Sequence, residues 1–78
     1  MRTVTGRLTS KERVDTSRNG NPRWDITIND GTTYGTTYRT IVDGSVGYDV
    51  GNYRQGTMVV LTLDKRDRVQ WMNRADDE

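Results

Sequence analysis

Cysteine and histidine are both missing from this 78-residue chain, and phenylalanine with them. Without thiols there is neither a disulfide framework nor a thiolate site. Without imidazole as well, the common zinc sites, the Ser-His and Cys-His nucleophile systems and the side chain most used for proton transfer near neutral pH all fall away. The expectation is a protein that is not an enzyme and carries no metal or cofactor. No apolar run approaches the ~20 residues of a membrane span, and the start M-R-T-V-T-G-R has no apolar signal-peptide core. The expected setting is therefore the cytoplasm, with no membrane partner.

Two Trp, four Tyr and eight Val fall in short alternating runs punctuated by glycine, the pattern of a β-rich globular chain. A chain this short buries only a thin core. We expect one domain over residues 1–74 and a frayed acidic tail at residues 75–78, which ends Asp76-Asp77-Glu78. The net charge of +1 is unevenly spread. Residues 1–24 hold six basic and two acidic side chains, a local charge of +4, which leaves −3 for the remainder.

That positive excess surrounds the stretch from Lys11 to Trp24, K-E-R-V-D-T-S-R-N-G-N-P-R-W. Asn19-Gly20 at its centre predicts a type I′ hairpin turn, since both residues tolerate positive φ. Before it, Val4, Leu8 and Val14 share one parity over Thr3 to Val14, with Gly6 as a bend. Arg7, Lys11 and Arg13 take the opposite parity and are expected to face solvent. After it, Pro22 starts a strand in which Trp24, Ile26 and Ile28 alternate with polar residues. Asn29-Asp30-Gly31 is a second turn.

A third strand is expected from Thr32 to Val42, with a bulge at Gly35; Tyr34, Tyr38 and Val42 share one face, Arg39 and Ile41 the other. Asp43 to Gln55 reads as a connection with at most one helical turn, capped by Asp43 or Asp49. Gly56 launches the most apolar strand, with Val59, Leu61 and Leu63 on one face. The charged turn Asp64 to Asp67 then leads to a last strand with Val69 and Trp71 on one side and Met72 on the other.

Three meandering strands, one long connection and a closing hairpin make the order of an all-β, five-stranded OB-like barrel, with an SH3-like barrel as the alternative. The chain resembles OB-fold domains in the kinked first strand through Gly6, the Gly56 entry to the fourth strand and the short hairpin into Arg68-Val69. The segment G-N-P-R-W-D-I-T-I, with D-G-T-T-Y and Y-R-T after it, also resembles small proteins of actinobacteria and their phages, which implies an origin, and the host cytoplasm as its compartment, but no activity.

Resemblance to OB-folds implies a ligand surface on the second and third strands, bordered by the loops after the first strand and between the last two. Cations to track phosphates and aromatic faces to stack bases are what single-stranded nucleic acid requires. Lys11, Arg13, Arg18, Arg23 and Arg39, with Arg54, Lys65 and Arg66, are the candidate cations. Tyr34, Tyr38 and Tyr53 are the candidate faces, Tyr53 and Tyr48 being either exposed or a plug for one end of the barrel. Trp24 and Trp71 are expected in the core, because a chain without Phe must fill it with other aromatics. The rival expectation is a phage-type module that docks on a host or phage protein by a strand edge or the Tyr48–Tyr53 loop. A homo-oligomer built by edge pairing is compatible with either.

Glycines at 44, 47 and 51 lack the Gly-Lys-Ser/Thr ending of a phosphate loop. The aspartates at 43, 49, 64 and 67 lack the ligand ladder of a calcium loop.

Overall fold

The computed structural model describes residues 2–14, 20–29, 31, 35–42 and 44–75. Among these residues, five strands form one antiparallel sheet: β1 (Arg2–Val14), β2 (Arg23–Asn29), β3 (Thr36–Arg39), β4 (Met58–Leu63) and β5 (Val69–Arg74), with one short helix α1 (Val46–Val50) between β3 and β4. The spatial order is β3-β2-β1-β4-β5. No helix among the described residues is long and apolar enough to cross a membrane.

β1 serves both halves of the sheet. Its first part, Arg2 to Arg7, pairs with β4, and its second, Arg7 to Val14, pairs with β2. The changeover lies beside Gly6, where a Cβ would stand 2.5 Å from the Asn29 carbonyl oxygen. Only glycine lets the end of β2 approach that closely. At the far ends the two edges of the sheet meet at one parallel bridge, Thr40 to Val69, where the Ile41 N–H donates to the Val69 carbonyl at 3.0 Å. This contact between β5 and the residues that follow β3 is called the β3–β5 seam below.

The core comes from alternation, as expected for β2 and β4. Ile26 and Ile28 from β2 and Val59, Leu61 and Leu63 from β4 are fully buried, with Leu8, Val50 and Val69 around them. Thr40 is the one buried polar residue among those described, and its hydroxyl accepts the Trp24 N–H at 3.1 Å.

Two β-bulges correct the expected faces of β1 and β5. Leu8 stands opposite Ile28, but Ser10 stands opposite Thr27, so Thr9 is an extra residue; its hydroxyl donates to the Thr27 carbonyl. Beyond Thr9 the parity of β1 is reversed. Lys11 now lies opposite Ile26 and Arg13 opposite Trp24, on the inner side, while Val14 leaves the core. In β5, Thr62 faces Trp71 but Leu63 faces Val69, which makes Gln70 the extra residue. Val69 and Met72 are both buried, and Trp71 is 58% exposed instead of packed beside Val69.

The third strand is also shorter than expected. Gly35 precedes it with φ of +76° and is not a bulge within it. The helical turn expected in the connection is α1, but its N-cap is Ser45, with no side-chain capping bond, and Asp49 lies inside the helix. Asp43 and Asn19 lie outside the described residues; Gly20 has the positive φ, +81°, that the hairpin reading asks for.

Candidate functional site

The residues expected to bind a ligand do not form one face. Lys11 is half-buried, and its ammonium donates to the carbonyls of Val50, Gly51 and Tyr53 at 3.3, 3.1 and 2.5 Å. It closes the C-terminal end of α1, where unsatisfied carbonyls and the negative end of the helix dipole favour a cation. Arg13 lies over the Trp24 ring, its guanidinium carbon 5.8 Å from the ring centre. Trp24 itself is half-buried against the core and donates from Nε1 to the Gly47 carbonyl at 2.8 Å. Both cations are thus drawn to the helix and the indole by the reversed parity of β1.

Tyr38 is buried in the core, so it offers no stacking face. Tyr53 packs against the core and donates its hydroxyl hydrogen to the Met72 carbonyl at 2.9 Å. Tyr48 is exposed. Arg54 is exposed on the connection after α1. Arg18 and Tyr34 lie outside the described residues.

On the outer face of β2 and β3, Arg39 forms two hydrogen bonds to Asp25, 2.8 and 3.1 Å long, across paired positions. Those bonds hold the Asp25 carboxyl below its ordinary range, against the opposing effect of burial, with the charges of Arg39 and Arg23 adding to them. Glu12 stands opposite Asp25 on the same face. Acidic groups therefore interleave with the arginines there. Arg23 is half-buried and donates to the Thr40 carbonyl at 3.4 Å, while its Nε is buried without a partner.

A different arrangement lies on the outside of the seam. Because Thr40 and Val69 point inward, the residues beside them on the two strands, Ile41 and Gln70, turn outward. They are the common wall of two adjoining clefts. One, of about 430 Å³, runs to the β4–β5 turn and is bounded by Val42, Asp64, Lys65, Arg66 and Arg68; the other, of about 290 Å³, ends at Trp71. The bulge at Gln70 is what turns the indole onto this surface.

The turn presents its cations by using up its own carboxylates. Asp64 Oδ1 accepts the backbone N–H groups of Arg66 and Arg68 at 2.8 and 3.0 Å, a local pattern that aspartate often adopts in turns. Asp67, with φ of +61°, is paired with Arg2 at 3.0 Å. Lys65, Arg66 and Arg68 make no ion pair among the described residues. The sequence pointed to Lys65 and Arg66 but missed Gln70, Trp71, Ile41, Val42 and Arg68. The one sequence signal for them is that Val69 and Met72 are both apolar three positions apart, which strict alternation does not allow.

The Arg68 N–H, opposed by desolvation and reinforced by the Arg66 N–H and by both guanidinium charges, holds the Asp64 carboxyl below its ordinary range. Its folded pKa is thus lower than its unfolded one, so the stability it contributes is present above the unfolded value near 4 and lost as pH falls through the folded value. Asp25 acts in the same direction. Thermal melts between about pH 5 and pH 2 are expected to show a falling Tm in the wild type and a shallower fall in Asp64→Asn, which keeps the acceptor oxygen but does not titrate. Identical acid slopes would remove Asp64 from this role.

Comparison with family models, with curated proteins and with solved structures gives no match.

Proposed function

We propose that this chain is a non-enzymatic, cytoplasmic binding module for single-stranded nucleic acid, an OB-like barrel whose ligand lies along the outside of the β3–β5 seam. The observation that carries the reading is an exposed indole, Trp71, on the same outer surface as three cations without ion-pair partners among the described residues. Stacked bases need an aromatic face and phosphates need cations. The reading moves the ligand from the first hairpin and the tyrosines to the seam, because Lys11 and Arg13 are engaged elsewhere and Tyr38 is buried.

A labelled oligothymidylate titrated at low and moderate salt tests it. Each neutralised phosphate of a single strand contributes a slope of about −0.7 in log affinity against log salt. Lys65, Arg66 and Arg68 together should give a slope of about −2. Trp71→Ala is expected to weaken binding about tenfold, the worth of one stacked base. Absence of binding at tens of micromolar protein in low salt overturns the proposal.

A second reading, docking on a host or phage protein, has its own observation. Met58 and Trp71 are both exposed, and both lie on the outer face of β4–β5, where Val60 is only half-buried. Apolar groups gathered on one face favour a protein surface. A pulldown from nuclease-treated lysate that yields a stoichiometric protein partner, lost on Met58→Ser, supports this reading over the first.

A further inference from the structure

Gln70 is the extra residue of the β5 bulge, and it lines both clefts of the seam. Its Oε1 atom is buried and has no hydrogen-bond partner. Buried side-chain acceptors are nearly always paired, because leaving one without a donor forfeits the water it gave up on folding. The acceptor stands next in sequence to Trp71, and the two side chains bound the same cleft of about 290 Å³, at the lower end of ligand-sized pockets of roughly 300 Å³ and upward. A ligand that satisfies both must bring a flat π-face for the indole and an N–H donor on its edge.

We infer that the Gln70–Trp71 cleft captures one unpaired nucleobase, stacked on Trp71 and donating from its Watson–Crick edge to Gln70 Oε1 as the amide turns from its buried position into the cleft. The inference rests on the single-strand reading above and adds a selection rule to it. Each of the four bases carries at least one N–H on that edge, so the contact does not choose among bases. In a duplex the same N–H is already given to the opposite strand. Gln70 therefore selects the unpaired state of the strand, while Lys65, Arg66 and Arg68 hold its phosphates further along the groove.

Thymine has a single N–H, at N3, which makes the test specific. An oligothymidylate and the same strand built from N3-methylthymine share every phosphate and ring face and differ at that donor. Wild-type protein is expected to bind the methylated strand about tenfold more weakly, as the loss of one hydrogen bond to an otherwise unpaired acceptor predicts. Gln70→Met, of similar length and volume, should bind both strands alike at the weaker level. Its Tm should not fall, since the substitution removes an unpaired polar atom.

Equal binding of the two strands by the wild type, with salt-dependent binding intact, overturns the inference and leaves the proposed function standing. Discrimination that persists in Gln70→Met overturns it too, because the donor is then read elsewhere. If neither strand binds, the parent reading fails and this one with it.

Discussion

Replacing Gly47 by alanine is expected to lower the stability of the fold by about 3 kcal/mol, where the same change at an open helical glycine would raise it by up to about 1 kcal/mol. The sign is reversed because Gly47 is buried and its missing side chain is the space in which Pro22 lies. A Cβ there would overlap the Pro22 carbonyl oxygen and come within 2.8 Å of its carbon. Neither is the movable end of a side chain. The chain entering β2 and the helix would have to separate, and the Trp24 hydrogen bond to the Gly47 carbonyl would be strained in the process. In a domain of this size a loss of about 3 kcal/mol lowers Tm by about 15 °C. A melt of Gly47→Ala at or above the wild-type Tm would show that α1 does not sit on Pro22 in this way.

Lys11→Met should cost about 2 kcal/mol while leaving oligonucleotide affinity unchanged. Methionine keeps the apolar stem that crosses the inner side of β1, so the loss isolates the ammonium. The carbonyls of Gly51 and Tyr53, just past α1, then lose the ammonium, and the Val50 carbonyl keeps only the Tyr53 N–H, in a five-residue helix that has no side-chain N-cap bond. Lys11→Arg should recover only part of the loss, since a planar guanidinium cannot aim at three convergent carbonyls as a compact ammonium does. Chemical denaturation measures the stability, and the oligothymidylate titration measures the affinity. Wild-type stability with weakened binding would return Lys11 to the ligand surface.

Much of the sheet was legible because β2 and β4 alternate without interruption. Trp24, Ile26 and Ile28, and Val59, Leu61 and Leu63, mark one inward face each, and the inward face needs no tertiary information to recognise. β1 and β5 were misread for a single reason. Parity carried across Thr9 or Gln70 assigns every later residue to the wrong side, and a bulge leaves little local trace in residues as ordinary as Leu8-Thr9-Ser10. Lys11 is therefore expected in solvent and Trp71 beside Val69, and the lack of Phe adds its own argument for placing Trp71 in the core. The cations of the β4–β5 turn were visible, but Gln70 and Trp71 joined them only once the register of β5 was known. Tyr38 and Arg39, adjacent on a short strand, could not be assigned to faces by alternation alone until the partner strand supplied the inner side.

The bulge at Thr9 also has a bearing on how the chain tolerates insertion and deletion. It falls between the part of β1 that is matched to β4 and the greater part of the segment matched to β2, so the two stretches keep independent phase. Losing the extra residue here leaves Ser10 to Val14 opposite the same partners on β2, and leaves the alignment of Arg2 to Arg7 with β4, and hence the mounting of the β4–β5 hairpin, as it was. Thr9 divides a thirteen-residue strand into two units of variation, one that sets the helix cap and one that sets the seam.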